Sequence, residues 1–414
     1  MTDTLNNLTE TPHEDMAAYP MQREQTCPFD PPAELGRLRA EEPIAKVRIW
    51  DGGTPWLITG YDDQRAVLSD PRFSADSSLP GYPAASASVR ARRERSRAFI
   101  TMDNPEHDRY RRMFTRDFMI KRVETLRPRI QSIVDGLIDD MIAQGPPADL
   151  VQSLALPVPS LVICELLGVP YADHDYFQQR SKLMVSRSND PAPSVKASDE
   201  LGEYLLELLK AKDAQPTDDL LSRLVVEQVR PGNLTFKQAA DTAILLLVAG
   251  HETTANMIAL GTLALLRNPE QLAIVRETDD PKVISGTVEE MLRYLTIVHT
   301  GRRRVAIEDV EVHGTLIRAG EGVILANDIA NRDPELFGGD PDQLDVLRDA
   351  RHHVAFGYGI HQCLGQPLAR VELQVVYSTL YRRLPGLALA IPFEDVPFKH
   401  DMLVYGVYQL PLTW

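Results

Sequence analysis

The sequence predicts a mainly α-helical protein with small β-sheets. From Asn104 onwards, apolar residues recur at helical spacing over most of the chain, and one unusually long apolar run begins near Thr235. Runs of β-prone residues are confined to positions 46–61 and to the last third. With 43% hydrophobic and 25% charged residues over 414 positions, the composition is that of a globular protein.

Charge and cysteine content exclude several classes of protein. A formal net charge of −15 argues against nucleic acid as a partner, because phosphate binding needs basic surface. An odd, sparse set of three cysteines gives no disulfide framework and suits a reducing cytoplasm: Cys27, Cys164 and Cys363. Residues 1–20 contain neither a basic start nor an apolar stretch, so no signal peptide or membrane anchor is predicted. We therefore expect a cytoplasmic protein with no membrane partner.

The first quarter of the chain combines irregular segments with one hairpin. Residues 1–35 are polar and rich in Pro and Thr, which predicts irregular structure. Two β-prone runs flank Asp51-Gly52-Gly53, a pattern that predicts a β-hairpin. Residues 74–97 have little periodicity and are predicted to form a mobile loop.

Residues that typically begin and end helices follow in the sequence from Asn104 onwards. Asn104 is the expected N-cap of a helix whose first position is Pro105. Apolar spacing predicts an amphipathic helix over residues 122–144, ended by Gly145. A second irregular stretch is expected over residues 186–198.

The longest predicted helix runs from near Thr235 to Asn268, roughly 50 Å at about 1.5 Å per residue. Its sequence is apolar on both sides of a polar centre, "GHETTAN", so the helix should be buried nearly all round rather than span a membrane. Beyond it, β-prone runs at 303–317 and 322–328 and a tail of small strands and turns are predicted.

The polar centre of this helix has two interpretations. Burying Glu252 and Thr253 costs several kcal/mol unless they are bonded or face a cavity. A structural interpretation is a threonine bonded to its own helix and a glutamate in an ion pair. A chemical interpretation is an acid and an alcohol that relay protons to something held against the helix.

Two further sets of charged residues would be common surface features if each were considered alone. Glu290 and Arg293 lie three residues apart on one helical face and suit a common surface pair. Several basic residues could be solvated surface charges or could bind a dianion through charge-assisted bonds: His107, Arg111, Arg302, Arg303, Arg304, His352 and His353.

Cys363 lies in the stretch "FGYGIHQCLG", just ahead of a helix-like segment. Gly357 and Gly359 permit a bend with positive φ, and a helix N-terminus favours thiolate over thiol. Such a thiolate is either a nucleophile, with His361 as its base, or a metal ligand. Tetrahedral zinc needs three further ligands, whereas one cysteine suits haem, which carries four ligands of its own.

The segment "FGYGIHQCLGQPLAR" resembles the haem-binding signature of the cytochrome P450 family, the haem-thiolate monooxygenases. The pattern is Phe-Gly-x-Gly-x-His/Arg-x-Cys-x-Gly, and every slot is filled. "AGHETT" resembles the family's oxygen-activating helix motif, "EEMLR" its Glu-x-x-Arg motif, and "NRDPELF" another recurring stretch. The motifs occur in the family's order, and the details look most like soluble actinobacterial members.

The resemblance implies a fold and a site. It implies one triangular-prism domain over residues 27–414, after an irregular segment over 1–26. It implies a haem b whose iron is bound by the Cys363 thiolate, with Phe356 packed near the sulfur, and Glu290 and Arg293 as a buried structural pair. It implies catalytic roles in proton delivery for Thr253 and Glu252. The remaining haem-binding residues that it implies are His107, Arg111, Arg304, His353 and Gly357.

The implied reaction inserts one oxygen atom from O₂ into a hydrophobic substrate, by hydroxylation or epoxidation. The substrate is expected to be a macrolide, a polyene, a steroid-like compound or a xenobiotic, and the protein a monomer. Electrons are expected from NAD(P)H through a ferredoxin reductase and a ferredoxin, which would dock near Arg112 and Arg116. Gln343 and Leu344 stand where many relatives have arginine and phenylalanine, so Arg348 is expected to complete the Glu290 network.

The resemblance also implies which segments line the substrate pocket. These are residues 74–100, 185–198, 296–300 and 402–404 with Val248 and Ala249, and His299 is the main polar group among them. Two other classes of protein stay open at this point. A haem sensor or carrier would need Cys363 but not Glu252 and Thr253, and a cysteine hydrolase would be colourless.

Overall fold

The computed structural model describes residues 16–24 and 26–414. Most of the segment predicted to be irregular, residues 1–26, lies outside the described residues. In its described part, the amide of Tyr19 donates to the carbonyl of Arg48 at 2.8 Å, which ties this segment to the first hairpin. Helices dominate the described chain and strands form small sheets, which confirms the predicted fold class.

Sixteen α-helices are present in the described residues. They are α1 (Ala33–Glu41), α2 (Tyr61–Ser69), α3 (Ala87–Arg95), α4 (Glu106–Thr115), α5 (Ile120–Glu124), α6 (Arg127–Gln144), α7 (Pro157–Leu167), α8 (His174–Val185), α9 (Ala192–Ala214), α10 (Leu220–Leu224), α11 (Phe236–Leu266), α12 (Pro269–Glu277), α13 (Pro281–Leu295), α14 (Asn327–Ala330), α15 (Pro334–Phe337) and α16 (Gln366–Arg383). Short 3₁₀ and π turns extend or connect several of them.

Ten short strands form three sheets in the same part of the chain. They are β1 (Ile44–Lys46), β2 (Trp56–Ile58), β3 (Phe73–Ser74), β4 (Ala148–Asp149), β5 (Arg302–Ala306), β6 (Val310–Val312), β7 (Thr315–Ile317), β8 (Gly322–Leu325), β9 (Ala388–Leu389) and β10 (Pro411–Thr413). The largest sheet has the order β1-β2-β8-β5-β3, and the others are β4-β10-β9 and β6-β7.

Helix α11 is the central element of the helical part and confirms the predicted long helix. Thr235 caps it, and Gln238 returns a side-chain bond to the Thr235 backbone in a capping box. The helix packs against α7, α9 and α16. By length and composition it could cross a membrane, but 72% of its most apolar window is buried inside the protein, as in a core helix.

Other sequence predictions were confirmed or corrected at the level of single elements. The hairpin forms between β1 and β2, and helix α6 ends at Gly145. The segment 74–97, predicted to be a loop, contains helix α3, which Ser86 caps. Its arginine-rich sequence has no apolar periodicity; its buried residues are Ser88 and Val89, and Ser88 and Arg92 donate to the carbonyls of Ser188 and Met184.

Two boundaries also differ from prediction. Helix α4 begins at Glu106 with Pro105 in the N-cap position, one residue later than the Asn104 cap predicted. Helix α9 begins at Ala192, inside the stretch 186–198 that was expected to be irregular. Pro193 supplies the fixed φ suited to a first helical turn, while Ser194 and Ala197 bury the start of the helix.

Candidate active site

The loop before helix α16 holds Cys363 in a closed turn. The Cys363 amide donates to the Phe356 carbonyl at 2.9 Å, so the loop folds back on itself. Gly357 and Gly359 have φ values of 75° and 71°, in the left-handed region that favours glycine. A Cβ on Gly357 would lie 2.7 Å from Arg302 Nε, so an alanine there would disturb the packing of the loop as well as its backbone.

The Cys363 sulfur lies in a strongly electropositive environment. Burial raises the pKa of the thiol, while the Gly365 amide and the guanidinium groups of Arg302, Arg111 and Arg370 lower it. Without a metal, the side chain is therefore a thiol. A bound metal cation would favour loss of its proton, and the Gly365 amide and the three guanidinium groups would help to stabilise the thiolate. In the described part of the chain, no cluster of three or more His, Cys, Asp or Glu side chains could hold a bare metal ion.

An ion network supports the loop from the side of Phe356. The Arg370 guanidinium lies 4.7 Å from the Phe356 ring centroid and pairs with Glu289 at 2.6 Å and 2.9 Å. His353 Nε2 lies 3.2 Å from the same carboxylate. Burial alone would raise the pKa of Glu289, but hydrogen bonds from His353 and Arg370 hold it at about 2. His353 is thus placed against Glu289.

A second group of basic residues has no acidic partner. His107 is 1% exposed, and neither of its ring nitrogens has a hydrogen-bond partner. The His361 ring lies 4.1 Å from it, and Arg111 donates to the Gln362 carbonyl at 2.6 Å. Burial, with Arg111 and Arg304 nearby, lowers the pKa of His107 to about 4. No described carboxylate forms an ion pair with any member of this cluster, which consists of His107, Arg111, Arg304 and His361.

The middle of helix α11 presents an accessible strip of small side chains. Ala249 is exposed and Val248 and Thr253 are partly exposed, although the helix is buried on either side of them. Positions 249 and 253 are one turn apart and share a helical face. The Thr253 hydroxyl donates to the Ala249 carbonyl at 2.8 Å, the helix bond of the structural interpretation, and its oxygen can still accept.

Glu252 lies beside this strip, between two nitrogen-bearing side chains. His251 Nε2 is 3.7 Å from its carboxylate, and burial lowers the pKa of His251. Burial also lowers the pKa of Lys399, an effect that the Glu252 carboxylate opposes. Lys399 Nζ in turn donates to Asn256 Oδ1 at 2.9 Å. The sequence did not reveal Lys399 as a neighbour of Glu252, because it comes from the distant C-terminal segment.

Comparison with known proteins identifies the family of this chain. The sequence model of the family described as Cytochrome P450 matches residues 39–385. The chain belongs to the cytochrome P450 family. Its relatives include Cytochrome P450 GfsF of Streptomyces halstedii, 54% identical over the whole of both chains, and Cytochrome P450-SU2 of Streptomyces griseolus, 52% identical over 97% of this chain and 98% of the relative.

Solved structures of this family share the fold. The crystal structure of GfsF superposes with a TM-score of 0.90, covering 96% of this chain and 100% of that one at 54% identity. The hydroxylase MycCI of Micromonospora griseorubida, bound to mycinamicin VIII, gives a TM-score of 0.91 over 96% and 100% at 41% identity. The protein is therefore a P450 monooxygenase, an oxidoreductase that incorporates one oxygen atom.

P450 enzymes bind haem through a cysteine thiolate, and the residues of this chain fit that group. Cys363 is the described cysteine that lies in a glycine loop among guanidinium groups. The unpartnered basic cluster suits the two carboxylates of a haem, because charged donors without acceptors are costly inside a protein. The strip at Ala249 and Thr253 supplies a surface of small groups for a flat molecule.

The Glu290–Arg293 pair is fully buried, as the resemblance implied. Arg293 donates to the Glu290 carboxylate at 2.6 Å and 2.8 Å and to the carbonyls of Asn331 and Pro341. Arg348 Nε lies 3.4 Å from Glu290, which confirms the expectation that it joins the network. The backbone of Gln343, where many relatives have arginine, accepts from Arg293 at 3.4 Å.

One buried acid of the P450 core was missed in the sequence. Glu372 of helix α16 is 2% exposed and contacts the Thr254 hydroxyl on helix α11. Burial raises the pKa of Glu372 to about 8, with the hydrogen bond from Thr254 opposing the rise. The sequence signal that could have revealed Glu372 is a carboxyl group at an apolar position of the helix that follows the cysteine.

Proposed function

We propose that this P450 uses a haem b bound through Cys363 to hydroxylate or epoxidise a hydrophobic secondary metabolite. The observation that carries the proposal is the basic cluster without carboxylate partners next to a cysteine loop shaped by glycines of positive φ. A bound haem would satisfy both features at once, with its iron at the sulfur and its propionates at the cluster.

Each residue near the haem has a role in this proposal. Cys363 would bind the iron through its sulfur, and Phe356, whose ring centroid lies 4.7 Å from the Arg370 guanidinium, would pack near that sulfur. Arg111, His107 and Arg304 bind the propionates. We propose His361 as a further propionate contact, because its ring lies 4.1 Å from that of His107, whereas His353 Nε2 lies 3.2 Å from the Glu289 carboxylate. Gly357, with its φ of 75°, would keep the cysteine loop bent around the bound group.

Residues of helix α11 would deliver protons to the reaction that the haem supports. When bound, the haem supplies reductive activation of O₂, with electron donation from the thiolate favouring cleavage of the O–O bond. The Thr253 hydroxyl is fixed by its hydrogen bond to the Ala249 carbonyl. Its oxygen would accept a hydrogen bond from a water molecule at the accessible strip, and this water would be the proton donor. Glu252 is the acid from which we propose that this donor is recharged through water, and Lys399 and His251 keep the carboxylate in place.

The substrate class follows from the relatives and from the pocket residues. Three relatives are named 20-oxo-5-O-mycaminosyltylactone 23-monooxygenase, vitamin D3 dihydroxylase and pentalenic acid synthase. Macrolides, steroid-like compounds and terpenoids are therefore candidate substrates, and polyenes and xenobiotics also fit. The expected polar anchor, His299, is buried and bonded to the Met402 carbonyl at 2.9 Å. Burial lowers its pKa to about 3, so His299 is neutral and its bond orders the 402–404 turn.

We propose that electrons come from NAD(P)H through a ferredoxin reductase and a ferredoxin. We also propose that the enzyme is a monomer and acts in the cytoplasm. Arg112 and Arg116, the proposed docking residues, are exposed and lie on or next to helix α4, which also carries Arg111 of the basic cluster. Arg112 pairs with Asp108, and Arg116 lies 3.3 Å from Glu227. Exposed pairs of this kind contribute little to stability, so both arginines can exchange their partners for an acidic ferredoxin.

The test is oxidation of a compound library by the reconstituted enzyme under ¹⁸O₂. We expect one labelled oxygen atom in the product and one NAD(P)H consumed per product. Products whose new oxygen atom is unlabelled and therefore comes from water, or no NAD(P)H-dependent product with any compound that shifts the haem spectrum, would contradict the proposal. An unchanged rate of reduction in the Arg112→Glu/Arg116→Glu variant would remove the docking site from it.

A further inference from the structure

A short hairpin near the C-terminus lies against the polar centre of helix α11. Residues 397–408 form this hairpin, which we call the C-terminal hairpin. Phe398 pairs with Val407 in an antiparallel bridge. The amide of Lys399 donates to the carbonyl of Gly406 at 2.9 Å, so these two residues lie opposite each other near the base of the hairpin.

Both residues at the base of the hairpin contact the side chain of Asn256 on helix α11. Lys399 Nζ donates to Asn256 Oδ1 at 2.9 Å. A Cβ placed on Gly406 would overlap the same oxygen, so the glycine leaves room for the Asn256 amide. Asn256 Nδ2 donates in turn to the backbone carbonyl of Glu252 at 2.7 Å, one helical turn earlier. The hairpin at one end and the helix at the other therefore fix the orientation of this amide.

The Glu252 side chain belongs to the same turn of helix α11 and has no strong cationic partner. In the described chain its one ion-pair contact is with His251, at 3.7 Å, and burial lowers the pKa of that histidine and so favours the neutral ring. Glu252 is 6% exposed, and its carboxylate opposes the decrease that burial causes in the pKa of Lys399. The ammonium group of Lys399 is therefore the positive charge that the hairpin brings towards this acid, with the Asn256 amide bonded to both residues.

The tip of the C-terminal hairpin is bonded to different segments. The amide of Leu403 donates to the carbonyl of Val185 at 2.8 Å. The carbonyl of Met402 accepts from His299 Nε2 at 2.9 Å. Val185 and His299 belong to two of the segments proposed to line the substrate pocket, and the 402–404 turn is a third. One short hairpin thus connects the proposed pocket wall at its tip to the acid of helix α11 at its base.

We propose that the C-terminal hairpin couples the filling of the substrate pocket to proton delivery, with Lys399 as a positioning residue for Glu252. A bound substrate would contact the 402–404 turn, and the hairpin would pass this constraint to Lys399 and Asn256. The Asn256 amide and the ammonium group would then hold Glu252 where it can recharge the proton donor. This inference rests on the proposed function, because it describes how proton delivery in that reaction is regulated.

A role in stability alone does not explain why a cation stands at position 399. Burying an ammonium group is costly, and a neutral donor could bond to the Asn256 oxygen without that cost. A second lysine offers a comparison on the same hairpin. Lys182 of helix α8 is exposed, and its Nζ lies 5.3 Å from the ring centroid of Tyr408. Both lysines contact the hairpin, and Lys399 is the one that bonds to helix α11.

The experiment measures the ratio of hydrogen peroxide to product formed by the haem-loaded enzyme. Its probe is the library compound that the wild-type enzyme oxidises fastest under ¹⁸O₂. In Lys399→Met, we expect this ratio to rise about tenfold, because a displacement of about 1 Å can slow a step up to about a hundredfold. The dissociation constant of the compound, read from the spin-state shift of the haem, should stay within about twofold of wild type, since Lys399 does not contact the compound. Lys399→Arg keeps the cation and should restore most of the wild-type ratio, and the control Lys182→Met should leave it unchanged.

A variant at the tip of the hairpin tests the coupling itself. His299→Phe removes the side-chain bond to the Met402 carbonyl, and we expect it also to raise the ratio of peroxide to product. The double variant Lys399→Met/His299→Phe should have no higher ratio than Lys399→Met, because the two residues act through one hairpin. Increases that multiply in the double variant would show independent roles and would overturn the coupling.

Thermal unfolding of the haem-loaded variants without any compound adds a measurement that does not depend on turnover. Lys399→Met and Asn256→Ala remove the two partners of one bond, so the double variant should lose less unfolding temperature than the sum of the single variants. Additive losses, or a wild-type ratio of peroxide to product in Lys399→Met, would overturn this inference alone. If the wild-type enzyme forms no product from any compound, the proposed function fails and this inference falls with it, so the two failures are distinguishable.

Discussion

The imidazole rings of His107 and His361 lie 4.1 Å apart, although one comes from helix α4 and the other from the cysteine loop. Burial, together with the guanidinium groups of Arg304 and Arg111, lowers the pKa of His361 to about 3 and that of His107 to about 4. Both rings are therefore neutral at pH 7 without a ligand. A pair of carboxylates placed there would raise both pKa values, so the cluster becomes more favourable to anions as the pH falls.

Haem retention tests this cluster. His107→Phe should lose haem about tenfold faster than wild type, because one charge-assisted bond to a propionate disappears. The measurement is the transfer of haem to a haem-scavenging globin, followed by absorbance. His352→Phe replaces an exposed histidine that lies outside the cluster and should leave the rate unchanged. Equal rates in the two variants would contradict the assignment of His107.

Thr253 should determine what fraction of the electrons from NAD(P)H is used to form product rather than hydrogen peroxide. In Thr253→Ala, we expect most of the electrons from NAD(P)H to appear in hydrogen peroxide, because the hydroxyl that positions the proton donor is missing. Thr253→Ser keeps the hydroxyl and should retain most of the product yield. Thr242→Ala is the control, since Thr242 makes the same type of helix bond, to the Gln238 carbonyl at 2.9 Å, far from the site. Full coupling in Thr253→Ala would exclude this role.

The buried pair of Glu290 and Arg293 should dominate the stability of its region. Arg293→Met leaves a carboxylate buried with Arg348 as its remaining cation, and we expect a loss of about 3–5 kcal/mol in the free energy of unfolding. Arg348→Gln should cost less, because Arg348 contacts Glu290 at the longer distance of 3.4 Å. Denaturant unfolding of the two variants measures the difference, and a larger loss for Arg348→Gln would contradict this ranking.

Glu372 predicts a pH dependence of stability. Its folded-state pKa of about 8 lies above its ordinary value of 4.5, so the folded protein holds a proton that the unfolded chain releases. Its contribution to stability is complete below about pH 4.5 and is lost as the pH rises through 8. Glu372→Gln should therefore be more stable than wild type at pH 9, with the difference shrinking towards pH 5. Thermal unfolding across this range checks it, and a constant difference would contradict the buried neutral acid.

The sequence predicted the site best where one local motif carries the geometry. The glycine bend around Cys363 and the start of the long helix near Thr235 could be recognised from the sequence, and the structure has both. The buried Glu290–Arg293 pair and its link to Arg348 could also be predicted. In each case the residues that interact lie near each other in the chain or belong to a known motif.

Contacts between distant segments could not be predicted in this way. The neighbours of His353 and His361 depend on how the loop between them turns, so the position of His361 beside His107 could not be read from the sequence. Helix α3 has no apolar periodicity that would predict it, and its contacts are with the distant carbonyls of Ser188 and Met184. The environment of Glu372 likewise arises from the packing of α16 on α11.

The central claim, a haem whose iron is bound by the Cys363 thiolate, is tested most directly by one spectrum. The purified protein is reduced, treated with carbon monoxide and scanned beside the Cys363→Ser variant. We predict that the main absorption band of the wild-type protein lies far to the red of that of a histidine-ligated haem protein, and that the variant loses this band. A wild-type protein without pigment, or a variant with an unchanged band, would contradict the account.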